Sequence, residues 1–425
     1  MMREMKDSGV PWIGKIPASL KLIRNKYLLS YEKGKKADNT NLAQEGLPYI
    51  GASDLDSYDI SKLYTTDIEL PDVTYDDILI LWDGARAGLV GTNKVGKLSS
   101  TVVKLVPDKN VVNKKFLYWY YMAFQQFMYD MVNGTTIPHM NRRFIEDIGF
   151  LSWSLDEQNC IVNYLDTKCS QIDTIITNEQ SVIEKLHEYK QAIITQAITR
   201  GLNPSTKMKK TGLKWMGMVP EHWDVKKIKY LTNKIGSGKT PKGGSDVYID
   251  EGVLFIRSQN VYDGYFDLSS VAFISHKIDS TMSNTRVYRN DVLLNITGGS
   301  IGRSCLYESD EPANVNQHVC IIRCNNQMRP KFMQYFWNSR IGKISIDIYQ
   351  SGANREGLNF TEIGNTLVPT PELHEQDQII DYLDGKCGVI NNVIQQKHSL
   401  INKLTEYKKS LIYEVVTGKK EVPHV

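Results

Sequence analysis

Long apolar runs are missing from this chain. None of its 425 residues lies in an apolar stretch of about 18 or more, the least that a membrane-spanning helix requires. The N-terminal MMREMKDSGVPW lacks the apolar core of a secretory signal, so the expectation is a cytoplasmic protein with no membrane partner. Cysteine is scarce: six in this length cannot form a disulfide framework. Cys320 and Cys324 make one C-x3-C pair with no second pair, which argues against a zinc site and for reduced core thiols. Net charge is nearly absent too. With 51 Lys and Arg against 48 Asp and Glu, the balance of +3 neither implies nor excludes nucleic acid, because charge can be segregated onto one face. What remains, 41% apolar and 23% charged residues, is the composition of a globular chain too long for one ordinary core, and it predicts two or more domains.

A complete phosphate-binding loop is also missing. KIGSGKTPKGG (234–244) contains Gly238-Lys239-Thr240, yet Asn233 stands where the signature needs its first glycine. Pro241, Gly243 and Gly244 follow at once, so no helix N-terminus is there to hold phosphates. The preceding VKKIKYLTN, with three lysines, is a poor central strand. No Asn/Asp-Pro-Pro-aromatic motif of adenine methyltransferases occurs. Glu188-x-Lys190 and Glu406-x-Lys408 resemble the tail of a nuclease motif, but their central Tyr189 and Tyr407 fall on heptad positions, which predicts a structural role. No catalytic residue, metal ligand or cofactor is expected in this chain.

What is present is a repeat. SGVPWIGKIPASLKLIRNKYL (8–28) matches TGLKWMGMVPEHWDVKKIKYL (211–231), with Trp12 on Trp215, Gly14 on Gly217, Pro17 on Pro220 and Tyr27 on Tyr230. DILILWDGARAG (77–88) matches DVLLNITGGSIG (291–302). EQNCIVNYLDTKCSQID matches EQDQIIDYLDGKCGVIN, and Glu188-Tyr189-Lys190 matches Glu406-Tyr407-Lys408. The offset grows from 203 (Trp12 to Trp215) to 218 (Glu188 to Glu406), all of it inside the first part of each unit. Frames are kept and middles diverge, as in two readers of two different targets; drift in loops is the bland alternative.

Each unit has two parts. The first is strand-rich, with short apolar runs such as VLFIRSQNV, DVLLNIT and HVCIIRC bounded by turn residues. One helix interrupts it, near 114–128 and again near 330–339, its aromatics at a spacing that predicts core packing rather than base stacking. The second part is one long helix, opened in the first unit by SLDE (154–157), a capping box. Leu165, Ile172, Glu179, Leu186 and Ile193 fall seven apart; Leu383, Ile390, Lys397, Leu404 and Leu411 do the same in the second unit. Sustained heptads predict a coiled coil. About 44 residues at 1.5 Å each span roughly 66 Å, too long for one compact domain. Antiparallel pairing sets Leu165 near Leu411 and Ile193 near Leu383, and the same register sets Glu179 beside Lys397. Ile176, Ile183 and Ile194 fall off this seam and are expected to be exposed.

The duplicated arrangement resembles the DNA-specificity subunit of type I restriction–modification systems, over nearly the whole chain. It rests on SGVPWIGKIP and TGLKWMGMVP opening the heads, GSGKTPKGG early in the second, and EQ…I…YLD opening each helix. The resemblance implies an α+β fold in which a strand-rich target-recognition domain and a long helix occur twice, the two helices pairing as an antiparallel coiled coil with pseudo-twofold symmetry. The expected divisions are recognition domains at 1–152 and 212–370, helical regions at 153–200 and 371–418, a linker at 201–211 and a tail at 419–425. It also implies that each head reads one half of a split site in double-stranded DNA. The helices would hold the spacing and dock two modification (adenine methyltransferase) subunits, plus restriction subunits with motor and nuclease activities. S-adenosylmethionine, ATP and magnesium would then belong only to those partners. Pseudo-twofold readers place half-sites about one helical turn, ~34 Å, apart.

On this reading the loop at 236–244 approaches DNA closely, with Lys239 and Lys242 at phosphates and Thr240 beside them. Its counterpart YEKGKKADNT supplies Lys33, Lys35 and Lys36. DGARAG and NGTTIPHMN add Arg86, Thr135, Thr136 and His139; IRSQN, TGGSIGR and SGANREG add Arg257, Gln259, Asn260, Arg303, Asn354 and Arg355. Arg, Asn and Gln are the types that make bidentate bonds to guanine and adenine edges, although lysine-bearing loops also occur as plain solvated surface. A coiled-coil scaffold that binds proteins and not DNA is the rival reading.

Overall fold

A computed structural model of the chain describes residues 4–55, 61–133, 139–350 and 357–423. Along the chain the helices are α1 (Lys114–Asn133), α2 (Arg142–Asp147), α3 (Leu155–Arg200), α4 (His276–Thr281), α5 (Pro330–Asn338), α6 (Arg340–Gln350), α7 (Phe360–Asn365) and α8 (Leu373–Val416). The chain forms two compact units. One holds residues up to Glu179 together with His398–Val425; the other holds Gln180–Lys397. Each unit therefore contains one head and a segment of both long helices.

The two heads share one topology. In the first, Leu29–Lys33, Val102–Pro107, Ile78–Leu81 and Val90–Gly91 form an antiparallel sheet in that order. A second sheet runs Tyr64–Thr65, Leu47–Ile50, Gly96–Leu98, Asp72–Val73. The second head repeats both: Thr232–Ser237, Val319–Cys324, Val292–Asn295, Ser304–Leu306, and Ala272–Ile274, Val253–Ile256, Ala313–Val315, Arg286–Val287. Even the parallel strand pairing recurs, Lys97 opposite Tyr49 and Asn314 opposite Phe255. Ile78–Leu81 and Val292–Asn295 are buried along their whole length, the second ending in the buried polar Asn295. The aromatic helix packs as its periodicity predicts, with Phe116, Tyr120, Tyr121 and Phe124 of α1 buried in the core. Each head opens with a hairpin, Met5–Asp7 with Lys15–Pro17 and Met208–Lys210 with Met218–Pro220.

The motifs that open the long helices fasten each head to its own helix segment. Ser154 and Glu157 form the expected capping box. Gln158 is buried: its Oε1 accepts from the Asn113 amide at 2.8 Å, and its Nε2 donates to the carbonyls of Val111 and Trp153. Gln376 repeats this with the Arg329 amide and the carbonyls of Gln327 and Pro371. The aspartate of YLD also recurs, with Trp119 Nε1 donating to Asp166 at 3.0 Å and the Tyr335 hydroxyl donating to Asp384 at 2.5 Å. Gly201 and Gly418, both with positive φ, end the long helices in the left-handed conformation that favours glycine.

Within the first unit, Leu165 and Ile172 share one core with Leu411, Ile412 and Val415, so the early part of α3 packs on the late part of α8. Lys408 Nζ donates to both carboxylate oxygens of Asp173 at 2.7 Å. At the repeat-equivalent place in the second unit, Lys190 Nζ donates to Asn391 Oδ1 at 2.8 Å. Ile193, Leu383 and Ile390 are buried, whereas Leu186 and Leu404 are half-buried. Glu179 ends the helix segment of one unit and Lys397 that of the other.

Two expectations about these helices need correction. Tyr189 and Tyr407 are not on the seam; they are 57% and 51% exposed, and the lysine beside each makes the inter-helix bond. Conversely, Ile183 and Ile194 are buried and Ile176 is half-buried against the first core. The buried face is broader than a two-position stripe because each helix packs on a head as well as on its partner helix; Ile194 lines a cavity with Tyr262 and Tyr335 of the second head.

Candidate nucleic-acid interface

In both heads the first long strand ends in Gly-Lys, and the glycine is fixed by the fold. A Cβ on Gly238 would lie 1.6 Å from the carbonyl oxygen of Val315, and one on Gly34 would lie 2.0 Å from that of Ser99. The chain here crosses over the end of a strand in the other sheet, where only glycine lets two backbones approach this closely. Lys239 N then bonds to Val315 O, and Lys35 bridges Ser99. What this glycine itself permits is close approach to the protein's own backbone. The chain next enters a one-turn 3-10 segment, Gly244–Val247, and a strand rather than an α-helix.

Around this exit the first head collects Lys33, Lys35 and Lys36, all exposed. Lys33 Nζ is 3.6 Å from Asp83, which also meets His139 Nδ1. Asp83 belongs to the loop after Ile78–Leu81, whose turn is closed by Gly88 N to Leu81 O at 2.8 Å. Arg86, further along that loop, donates to the carbonyl of Ala52 at 2.8 Å. Thr135 and Thr136 lie outside the described residues.

The second head builds the same junction from different side chains. Lys239 and Lys242 are exposed. Thr240 donates to Gln317 Oε1, Gln317 Nε2 meets His318 Nε2 at 2.9 Å, and His318 Nδ1 pairs with the hydroxyl of Thr297. This chain of bonds joins the Gly-Lys-Thr loop to the glycine-rich loop at 297–302. Lys234, within the preceding strand Thr232–Ser237, is turned to other work. Burial, helped by the Arg323 guanidinium nearby, pulls its pKa down, and its ammonium is held by the Asn284 carbonyl at 2.6 Å.

The remaining candidates divide. Gln259 is exposed and reaches Ser270 Oγ. Arg257 is half-buried, donating to Ser270 O at 2.9 Å with its guanidinium 5.8 Å from the Tyr248 ring. Asn260 is corrected from a base reader to a loop former. It is 1% exposed, accepts from the Arg257 amide, and donates to the carbonyls of Asp267 and Ser270, so its hydrogen bonds shape the loop and leave none for a base. Arg303 is not part of the lysine cluster; it covers the Tyr262 ring at 4.6 Å and lines a cavity with Lys190 and Asp384. Asn354 and Arg355 lie outside the described residues. Sequence reasoning does not reach Asp83, Gln317 or His318. The repeat alignment sets Asp83 opposite Thr297, which is the one available signal for that pair; nothing in the sequence links residues 317–318 to the loop at 240.

Burial pushes the thiols of the buried Cys320 and the half-buried Cys324 up to about 12.

The model of the type I restriction modification DNA specificity domain matches this chain twice, over residues 20–185 and 220–405. The MjaVIII type I restriction enzyme specificity subunit of Methanocaldococcus jannaschii is 27% identical over 418 residues, covering 97% of this chain and 95% of its own. The EcoBI specificity subunit of Escherichia coli is 25% identical over 386 residues, covering 86% and 80%. A solved chain described under "Structural basis underlying complex assembly and conformational transition of the type I R-M system" matches with a TM-score of 0.72 over 95% of this chain and 99% of that one; at 13% identity it speaks for the fold alone. With both repeats matched across most of its length, the chain belongs to the type I restriction–modification DNA specificity family.

Proposed function

We propose that this chain, a DNA-specificity subunit, reads a bipartite and asymmetric duplex site, one half with each head. The observation that carries the reading is the junction just described: one backbone architecture, built twice, with different side chains at corresponding places. At corresponding places the two heads carry Lys36 and Thr240, each two residues past the crossing glycine, and Asp83 and Thr297 in the facing loop; Asp83 meets Lys33 and His139, whereas Thr297 reaches Thr240 through His318 and Gln317. Lysines at the rim suit phosphates, which position a reader, and the variable loops suit base edges, which specify the sequence.

The chain does no chemistry on this reading; methylation, motor and nuclease activities, with S-adenosylmethionine, ATP and magnesium, belong to partners. Two modification subunits dock along the helices. Ile175, Val182 and Tyr189 are exposed seven residues apart on α3, and Leu400 and Tyr407 repeat the last two on α8. Apolar rows of this kind suit a partner's helix. Restriction subunits complete the complex.

The rival, a protein-binding scaffold without DNA recognition, separates by salt. Binding to a duplex of arbitrary sequence should weaken linearly on a log–log plot against salt. Changing Lys33, Lys35 and Lys36 to Gln should flatten the slope by about 0.9 for each phosphate that a lysine no longer neutralises. Duplex binding that ignores salt, or a slope the three substitutions leave unchanged, would favour the scaffold.

A further inference from the structure

The opening segments of the two heads, 8–28 and 211–231, are identical at seven of 21 aligned positions, and the fold accounts for five of them. Gly9, Gly14, Gly212 and Gly217 all have φ between +66° and +77°, which disfavours any other residue. Pro17 and Pro220 are buried, as are Leu28 and Leu231. Trp12 stacks on Phe127 at 4.2 Å, and Trp215 is half-buried in a cavity with Arg340 and Ile344. Two identities remain, Lys26–Tyr27 and Lys229–Tyr230.

Packing does not explain them. Tyr27 is 72% exposed and Tyr230 63%, each ending a one-turn 3-10 segment that is anchored by its first residue, Asn25 or Ile228. In both, the lysine ammonium stands over the ring, 5.0 and 5.4 Å from its centre, and the other ring face is left open. A single exposed tyrosine needs no explanation. The same Lys–Tyr knob kept in both copies, while neighbouring surface positions diverged, does need one. Basic residues flank it in each head: Lys21 and Arg24 in the first, Lys226 and Lys227 in the second.

The knob is also remote from the reading loops. The strand Leu29–Lys33 separates Tyr27 from the lysine cluster by about 16 Å, at ~3.3 Å per residue. Thr232–Ser237 separates Tyr230 from Lys239 in the same way. Loops that differ between the heads meet two different targets. A knob that is the same in both heads meets the same target twice.

We infer that Lys26–Tyr27 and Lys229–Tyr230 are equivalent docking knobs for one protein partner bound in two copies, each copy offering a carboxylate to the lysine and a flat apolar or planar group to the open ring face. This rests on the two-copy reading above, so the partner is the modification subunit. An exposed lysine–tyrosine pair is suited to such a contact, since tyrosine is enriched among residues whose truncation costs an interface most.

The test uses the full chain carrying Lys26→Glu with Tyr27→Ala, Lys229→Glu with Tyr230→Ala, or all four changes, titrated with purified modification subunit and followed by mass photometry. Each double variant should weaken one of two binding events about tenfold or more, and the fourfold variant should weaken both. Tyr27→Phe with Tyr230→Phe should bind as the parent chain does, and circular dichroism should be unchanged in every variant, as expected for exposed positions. The duplex affinity and its salt slope should also hold. A fourfold variant that still takes two partners at parental affinity overturns the knobs alone. A flattened salt slope with partner binding intact overturns them in favour of DNA backbone. If the parent chain itself takes no modification subunit, the two-copy reading fails and the knobs fail with it.

Discussion

At Gly238 and Gly34 a single methyl group would collide with a carbonyl oxygen of the chain's own backbone. Gly236, two residues earlier and still in the strand Thr232–Ser237, has nothing within 4 Å of the same addition. Gly238→Ala and Gly34→Ala should therefore each destabilise their own unit by about 2–3 kcal/mol, the scale of overpacking. Gly236→Ala should stay within about 0.5 kcal/mol. Calorimetry of the full chain checks this, and equal shifts for Gly236→Ala and Gly238→Ala would refute the packing account. That this loop is special was legible from its glycines; why was not, because Val315 comes late in the chain and only the folded sheet brings it there. Asn260 carries the same lesson, since a buried amide that shapes a loop and an exposed amide that reads a base are the same letter. The exposed Lys33, Lys35, Lys36, Lys239 and Lys242 were easier, because a run of cations in a short loop has few places to go but the surface.

The long helices were legible as elements because apolar residues seven apart persist through each. Their faces were harder to assign. A helix at 3.6 residues per turn drifts against a strict heptad, and packing against a head widens the buried side, so Tyr189 and Tyr407 turn outward while Ile183 and Ile194 turn in. The EQ motif was visible as a repeat, but its work, one glutamine holding three backbone groups of a head, appears only in the fold. This makes a local prediction. Gln158→Ala leaves the Asn113 amide and the carbonyls of Val111 and Trp153 without their partner, at a cost of about 1–3 kcal/mol for each group that stays buried. In hydrogen exchange the Asn113 amide should lose protection while the Arg329 amide keeps it, and Gln376→Ala should reverse the pattern. Loss at both amides from either substitution would mean that the clamps are not independent.

For the molecule as a whole, the duplication was the most legible feature, and it foretold two heads of one topology. The content of each compact unit was not foretold: a head, the early or late part of α3 and the complementary part of α8. That assembly depends on contacts between residues far apart in the chain, such as Asp173 with Lys408 and Lys190 with Asn391. On the proposed function the two heads read DNA separately while the helices hold the frame. The most direct measurement maps methylated adenines genome-wide in cells carrying this chain with residues 1–150 replaced by the corresponding head of another specificity subunit. The account predicts a methylated motif in which one half-site changes while the other half-site and the spacer length stay as before; a motif in which both halves change together, or neither does, would contradict it.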